Sequence, residues 1–432
     1  MRSRRMLQAL FVLPALLAIA VSYSRASRSV DFMAYYYAAR VAMGLQPGHV
    51  YGLASGIGWP QFFRYPPLFL VLILPLGLLP YKVSVAVWAA FKCLALYLVV
   101  RTLGRRLNFP RSGFWWLVPV LLCGGFLLQE LILGNVQFLV FAVVAAGLLA
   151  LEGDEWRGAF LLALGVTLKI WPLFFMPYVA VRKGARAALL MAVSLAGLML
   201  LPAAYFGWSA NVSLIRDWVT QERSLSSLAA ETWFPGQSLA GILQRYLTVM
   251  DYSKWPDRNY VQLHLLHLDP RLVELIWYAL AGVAYLGLLW VARKSSELRE
   301  PDSPMGGGLL LTDALALCAL PLLSPFAHRI AFVVLLWPAM VAGALLARPG
   351  FPSGRSKTLI YAAVAIETIE PMLSSSKMQR LFQVVGVDFW AACILTAGLL
   401  TAWIEWRRAQ AAPQTDDSLL PANYELSAAR RS

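Results

Sequence analysis

Apolar stretches recur along the whole chain, and short polar segments that hold most of the charged residues separate them. A helix that crosses a bilayer needs about 20 predominantly apolar residues. Backbone in hydrocarbon must satisfy its own hydrogen bonds, and a helix does so within one segment. The pattern therefore predicts membrane-crossing helices over residues 7–23, 83–100, 114–133, 136–151, 187–206, 272–292, 307–323, 330–346, 358–373 and 387–406.

Three segments depart from this pattern. Residues 67–80 are too short for a crossing of about 20 residues, so we predict an interfacial or half-inserted helix on the outer side. Residues 158–181 are interrupted by Lys169, Pro172 and Pro177, which predicts two short helices that meet near the outer surface with Lys169 at the turn. Residues 207–270 read as a long outer loop. The prediction is an all-α integral membrane protein with about 12 transmembrane helices and both termini inside.

Composition supports the membrane assignment. Apolar residues make up 59% of the chain and charged residues 14%, whereas about a quarter of a soluble domain is charged. The net charge of +14 could indicate nucleic-acid binding, but Lys and Arg cluster at the ends of apolar stretches. That arrangement is the positive-inside pattern, so we predict no nucleic-acid partner. The clusters predicted to face the cytoplasm are 2–5, 101–111, 182–186, 293–299, 348–357 and 407–408.

The chain reads as one multi-span domain, residues 1–406, followed by a polar tail, 407–432, that we expect to be disordered in the cytoplasm. Residues 1–24 resemble a signal peptide, with a basic front and an apolar run. The run is long enough to span, so we expect it to be retained, with cleavage as the alternative.

The four cysteines, in apolar spans without metal-ligand spacing, are expected to be packing residues: Cys93, Cys123, Cys318 and Cys393.

Unusual polar residues fall at or near the predicted outer ends of the spans. Asp31 lies eight residues beyond the first span, at the edge of the bilayer, where an ionised carboxylate loses hydration unless something requires it there. Polar groups that converge on one rim of a bundle indicate a shared cavity. The residues concerned are Asp31, Arg40, Arg64, Glu130, Asn135, Gln137, Lys169, Gln237 and His328.

Each of these residues also has a structural interpretation. Asn135 and Gln137 could be a hydrogen-bonded hairpin tip, Lys169 could snorkel to the surface, and His328 could cap a helix. The tyrosines beside Asp31 could form an interfacial belt. Glu130 is a candidate only for a supporting role behind the site.

The motifs as an ordered set resemble those of GT-C type glycosyltransferases, specifically the polyprenol-phosphate-mannose-dependent family 87, which includes the mycobacterial phosphatidylinositol-mannoside mannosyltransferases. The family often has Gly-Gln at the hairpin tip and Asn-Gln-Ser in the outer loop, and this chain differs at both places. Those differences bear on the acceptor more than on the chemistry. The matching motifs are Asp31-Phe32 with Tyr36, Arg64-Tyr65-Pro66-Pro67-Leu68, Gly134-Asn135-Val136-Gln137, Leu168-Lys169-Ile170-Trp171-Pro172, Gly236-Gln237-Ser238-Leu239 with Arg245, and Leu323-Ser324-Pro325 with His328.

The resemblance implies a GT-C type helical bundle in the plasma membrane that moves a sugar, expected to be mannose, from a polyprenyl-phosphate donor to a lipid or glycan acceptor on the extracytoplasmic side. Asp31 is then the expected general base of an inverting transfer. His328 is the second expected catalytic residue, and cations at the departing phosphate would be Arg64, Lys169 and Arg245. Expected substrate contacts are Tyr36, Tyr65, Asn135, Gln137, Trp233, Gln237 and Ser238, with Phe234 a further aromatic candidate.

No cofactor is expected, and no metal, because no second acid accompanies Asp31 in an Asp-x-Asp pattern. Two other classes of protein would also place polar residues in a helical bundle. A transporter or lipid flippase usually shows repeated halves with matching broken helices, and only one broken hairpin is visible here. A membrane scaffold would leave Asp31, Lys169 and His328 without a purpose.

Overall fold

A computed structural model describes residues 2–45, 47–52, 62–110, 113–225, 236–250, 261–297, 308–372 and 376–411. Every regular element in these ranges is helical. The α-helices in chain order are α1 (Arg2–Ser24), α2 (Val30–Ala42), α3 (Pro67–Gly77), α4 (Tyr81–Arg106), α5 (Leu117–Leu133), α6 (Gln137–Ala150), α7 (Glu155–Leu168), α8 (Phe175–Lys183), α9 (Ala185–Leu200), α10 (Ala203–Phe206), α11 (Trp208–Leu225), α12 (Leu239–Leu247), α13 (Pro270–Glu297), α14 (Leu309–Leu323), α15 (Leu336–Leu346), α16 (Gly354–Met372), α17 (Ser376–Val385) and α18 (Val387–Ala411).

Length and apolarity identify this chain as a multi-pass membrane protein. Among the described residues, six helical segments are long and apolar enough to cross a bilayer: Tyr81–Arg106, Gly113–Leu133, Ala185–Phe206, Pro270–Glu297, Arg329–Leu346 and Val387–Gln410. Val12–Ser24, Pro67–Gly77, Gln137–Ala150 and Leu309–Leu323 are apolar but shorter. The predicted total of about 12 crossings counts such shorter helices as well, and it stays a prediction.

The segment Arg329–Leu346 lies at the centre of the bundle. It is 89% buried, and it packs against α4, α5 and α14. A helix that is apolar on every side belongs inside a structure rather than at its surface. Gly343 allows this close packing, because a Cβ there would lie 2.9 Å from the Phe109 ring and 3.2 Å from the Trp115 carbonyl oxygen.

One end of the bundle is held by a buried ion network. Arg182, at the end of α8, pairs with Asp313 in α14 and, at 2.5 Å, with Glu152 after α6. Tyr178 donates a hydrogen bond of 2.8 Å to Asp313. Glu152 also pairs with Lys183 at 3.3 Å, so this carboxylate is shared by two cations. The network joins three helix ends, and the basic clusters after α4 and α8 lie at the same end.

The opposite end carries the polar residues that the sequence indicates. The predicted hairpin is present: α7 ends at Leu168, Lys169 follows in extended backbone, and a 3-10 turn Trp171–Phe174 leads into α8. Helix α2 packs against α3 at this end, and the interfacial position predicted for residues 67–80 stays a prediction.

The structure differs from the prediction in two connections and at the end of the last helix. The expected loop 207–270 contains α11 and α12, and α17 lies between α16 and α18. These helices are too short or too polar to register as spans, which is why a search for apolar stretches misses them. The last helix continues to Ala411, past the predicted boundary at 406, because Arg407 packs over the Trp290 and Trp403 rings at 5.8 and 5.2 Å. The predicted disordered tail beyond Ala411 lies outside the described residues.

Candidate active site

Asp31 lies in the first turn of α2, where a carboxylate interacts favourably with the helix N-terminus. Its Oδ2 accepts a hydrogen bond of 2.8 Å from the Asn135 side-chain amide. Burial raises the pKa of Asp31 above its ordinary value, while the Asn135 hydrogen bond and the charges of Lys169 and Lys92 lower it. The net direction is upward, so this carboxylate is a better proton acceptor than a solvated aspartate.

The turn between α5 and α6 presents Asn135 to Asp31. Gly134 ends α5 with φ of 72°, and a Cβ on it would lie 2.6 Å from the Phe32 Cβ. The Asn135 backbone N–H donates to the Glu130 carbonyl oxygen, and its side-chain oxygen accepts from the Gln137 N–H at 2.9 Å. Asn135 therefore serves as a hairpin tip and as a partner of Asp31, so both interpretations of this residue describe it.

A buried ion pair supports the same turn. Lys92 of α4 lies 3.0 Å from Glu130 Oε2 and donates to the Glu130 carbonyl oxygen at 3.0 Å. Their side chains are only 4% and 2% exposed. Glu130 Oε1 accepts from the Phe138 N–H at 3.2 Å, so Glu130 is bonded on both sides of the turn. These contacts give Glu130 the supporting role considered for it. The sequence analysis did not select Lys92, although a lysine within an apolar span is itself an indication of function.

Two tyrosines form the wall beside Asp31. The hydroxyl groups of Tyr35 and Tyr65 are 2.6 Å apart, and Tyr35 Oη accepts from the Val136 N–H at 3.3 Å. Tyr35 lies four residues after Asp31, on the same helix face. Tyr36, the predicted substrate contact, lies on another face: its hydroxyl donates to the Leu79 carbonyl oxygen at 2.9 Å and its ring packs against Tyr81. The structure therefore brings Tyr35, not Tyr36, to Asp31.

Cationic side chains converge on the same region. Lys169 Nζ lies 6.0 Å from the centre of the Tyr65 ring. Burial lowers the pKa of Lys169 to about 8, although the charge of Asp31 raises it. Burial, together with the charges of Lys169 and Arg64, lowers the pKa of His328 to about 4. At neutral pH the region therefore holds an ionised Arg64, a largely protonated Lys169 and a neutral His328.

Arg64 has a carboxylate partner that the sequence did not indicate. Its Nε and Nη2 donate to the two oxygens of Glu222 at 3.2 and 3.1 Å, a bidentate geometry. Glu222 belongs to α11, and the neighbouring Gln221 donates to the Phe63 carbonyl oxygen at 2.8 Å. Helix α11 thus orients the segment that carries Arg64.

A model of glycosyltransferase family 87 matches residues 62–325, more than half of the 432 residues. The chain belongs to glycosyltransferase family 87. It is accordingly a membrane glycosyltransferase, which favours the enzyme over the transporter and scaffold alternatives. The matched segment contains Arg64, Asn135 and Lys169, whereas Asp31 and His328 lie on either side of it. No curated protein matches the chain.

A second group of predicted site residues in this family 87 enzyme supports the loop before His328. The Gln237 N–H donates to the Ala327 carbonyl oxygen at 2.6 Å, and Ser238 Oγ to that of Pro325 at 3.4 Å. Ser238 also accepts from the Gly241 N–H and caps α12. Gln237 and Ser238 thus hold the His328 loop, and substrate contact by either residue stays a prediction.

Arg245 is placed differently from the other predicted phosphate ligands. It is 1% exposed, its Nε donates to the Val384 carbonyl oxygen at 2.9 Å, and its Nη1 donates to that of Gly236 at 2.6 Å. These bonds fasten α12 to α17 and give Arg245 a structural role, so phosphate binding by this residue stays a prediction. Trp233 and Phe234 lie outside the described residues.

Three carboxylates that could hold a metal ion lie where α16 ends and α18 begins. Within the described part of the chain they are Glu367, Glu370 and Asp388, with ligand oxygens within 4.8 Å of one another. None of the three is adjacent in sequence to a predicted catalytic residue, but Glu370 pairs with Arg329, which directly follows His328. The expectation that the transfer step needs no metal stays a prediction.

Proposed function

We propose that this family 87 member transfers mannose from polyprenyl phosphate to a lipid or glycan acceptor, with inversion at the anomeric carbon. The observation that carries the proposal is the Asp31 carboxylate, which accepts from Asn135 at 2.8 Å and whose pKa is lowered by the nearby charge of Lys169. A base beside a cation suits attack by a neutral hydroxyl on a sugar whose leaving group is an anion.

The proposed reaction is one displacement. Asp31 takes the proton of the acceptor hydroxyl as its oxygen bonds to the anomeric carbon, and the bond from that carbon to the phosphate oxygen breaks. Polyprenyl phosphate leaves with the bonding electrons. Asn135 donates to Oδ2 of Asp31, so the proton would be taken by Oδ1. Because attack and departure occur on opposite faces of the sugar, the configuration inverts.

The leaving phosphate needs positive charge and hydrogen-bond donors. Lys169 would supply the charge. His328, neutral because its pKa is about 4, would donate a hydrogen bond from its imidazole N–H rather than a charge. Arg64 would exchange part of its pairing with Glu222 for phosphate oxygens, a geometry that guanidinium favours. Tyr65, held by Tyr35 and below Lys169, offers a ring for the sugar.

The distribution of charge supports an extracytoplasmic site in the plasma membrane. Basic residues follow α4 and α8 and end α18, at the end of the bundle opposite Asp31. Lys and Arg in short loops are retained in the cytoplasm. The end with Asp31 would then face outward. There the sugar would come from a polyprenyl-linked donor and not from a nucleotide sugar.

The donor class is tested with the purified full-length protein, membrane lipid extract and isotope-labelled donors, with products followed by mass spectrometry. Polyprenyl-phosphate mannose should yield a labelled product, and a nucleotide-activated mannose should yield none. A product from the nucleotide sugar alone would overturn the proposed donor. A product from another polyprenyl-phosphate sugar, with none from mannose, would correct the sugar and keep the mechanism.

A further inference from the structure

Three buried carboxylates meet where α16 ends and α18 begins. Glu367 and Glu370 lie in the last turns of α16, and Asp388 lies in the first turn of α18. They are 7%, 5% and 3% exposed. One oxygen from each lies within 4.8 Å of the others. Burial of this much like charge is unfavourable unless positive charge accompanies it.

One guanidinium does not balance the three carboxylates. Arg329 donates from Nη1 to Glu370 Oε1 at 2.7 Å, and its Nη2 pairs closely with Oε2 of the same residue. The distance from Nη2 to Asp388 Oδ1 is 3.6 Å, which is an ion pair but not a hydrogen bond. Arg329 is thus used mainly by Glu370. Among the described residues it is the one cation within 4 Å of the group, so three ionised carboxylates would leave an excess of two negative charges.

Glu367 supplies the independent indication of a ligand. Its side chain points into the group formed with Glu370 and Asp388, and it is 7% exposed. Among the residues that the structure describes, it has neither a hydrogen bond nor an ion pair within 4 Å. Asp388 Oδ1 is likewise buried without a hydrogen bond in the described part of the chain. A buried carboxylate in this position requires a proton or a cation.

We propose that Glu367, Glu370 and Asp388 bind a divalent cation, with Ca²⁺ the preferred ion. Ca²⁺ takes about 6–8 oxygen ligands and accepts several carboxylates in flexible geometry, whereas Mg²⁺ usually keeps several waters and is bound by only one or two carboxylates. Three buried carboxylates with oxygens within 4.8 Å of one another therefore suit Ca²⁺ better. The bound ion would clamp α16 to α18 and, through Arg329, hold the loop of His328.

This site does not depend on the proposed reaction. It contains none of the groups assigned to transfer, and its test needs no substrate. The competing state is one in which Glu367 and Asp388 share a proton, as close carboxylates can. Only the first state binds Ca²⁺. Neutralisation of Glu367 would weaken Ca²⁺ binding in the first state and would raise the unfolding temperature in the second.

The test is equilibrium binding of radioactive Ca²⁺ to the chelator-treated full-length protein in detergent, together with its thermal unfolding. The wild type should bind one Ca²⁺ per chain with a dissociation constant of about 10⁻³ M or tighter, and Ca²⁺ should raise its unfolding temperature. Glu367→Gln and Asp388→Asn should each weaken binding by about tenfold or more. The control Glu274→Gln changes an exposed carboxylate of α13 whose partner is Tyr278, and it should bind as the wild type does.

The wild-type titration decides the proposal even if a variant does not fold. Absence of saturable Ca²⁺ binding by the wild type would overturn it. So would undiminished binding by both folded variants. If the wild type binds no Ca²⁺ and Glu367→Gln unfolds at a higher temperature than the wild type, the carboxylates share a proton and the cation site does not exist.

Discussion

At the residue scale, the position of Asp31 depends on one side chain that contacts it and on two others behind that contact. Asn135 donates to it, and the turn that carries Asn135 is bonded to Glu130, which pairs with Lys92. The sequence indicated Asp31 and Asn135 because both are polar residues at the ends of apolar stretches. It could not pair Lys92 with Glu130 or choose Tyr35 over Tyr36, because those contacts join separate helices and depend on the rotation of α2.

The Lys92–Glu130 pair should matter for both stability and rate. Lys92→Met leaves the Glu130 carboxylate buried without its partner, and we expect a loss of about 3–5 kcal/mol in the free energy of unfolding. The double variant Lys92→Met/Glu130→Met should regain much of that stability, since a neutral buried pair avoids desolvation. Its sugar transfer should stay impaired because the Phe138 N–H and the turn lose their support. Full transfer by the double variant would show that the pair has no positioning role.

The pH dependence of kcat/KM, which reports the free enzyme, should be bell-shaped. Activity needs ionised Asp31, so it should fall as the pH decreases through the raised pKa of that residue, above the ordinary value of 3.8. It should also fall as the pH rises through about 8, where Lys169 loses its charge. Lys169→Arg should move only the upper limb to higher pH, because arginine stays protonated. An unmoved upper limb in this variant would remove Lys169 from the phosphate site.

At the scale of elements, the long apolar helices and the broken hairpin at Lys169 could be predicted because hydrophobic length and Pro placement are local properties. Helices α11, α12 and α17 could not, because they are polar on one side and owe their positions to partners far along the chain. Gln221 and Glu222 of α11 contact Phe63 and Arg64, and the α17 carbonyl group of Val384 accepts from Arg245.

The junction of α2 with the α5–α6 turn should tolerate only glycine at position 134. Gly134→Ala places a Cβ 2.6 Å from that of Phe32 at a φ of 72°, and a left-handed conformation alone costs about 1–2 kcal/mol. We expect at least this loss of stability, and reduced transfer because α2 and Asp31 must shift. Gly153→Ala is the matched control, since a Cβ there meets nothing within 4 Å. Thermal unfolding and transfer rates compare the two, and equal behaviour would contradict the assigned packing.

At the scale of the whole molecule, one end of the bundle holds the Arg182–Asp313–Glu152 network and the other holds Asp31, Lys169 and His328. The basic clusters predicted which ends of the helices lie together, because Lys and Arg concentrate in the loops that stay in the cytoplasm. The carboxylates around Arg329 were not foreseen, since Glu370 and Asp388 come together only when α16 pairs with α18.

The orientation of the bundle is tested by labelling single cysteines in a background without the four native ones. Ile170→Cys lies exposed beside Lys169, and Gly153→Cys lies exposed near the Arg182 network. An impermeant maleimide on intact cells should label position 170 only, and permeabilised cells should be labelled at both positions. Labelling of position 153 alone in intact cells would reverse the proposed orientation.

The most direct test of the account is transfer by Asp31→Asn, measured beside binding of the polyprenyl-phosphate donor. The amide is nearly isosteric and can still accept from Asn135, but it cannot take the acceptor proton. Donor affinity should stay unchanged, and turnover should fall by about 10²- to 10⁴-fold. Asp154→Asn, at the N-terminus of α7 on the opposite end of the bundle, should transfer as the wild type does. Turnover by Asp31→Asn above about a tenth of the wild-type rate would show that Asp31 is not the base.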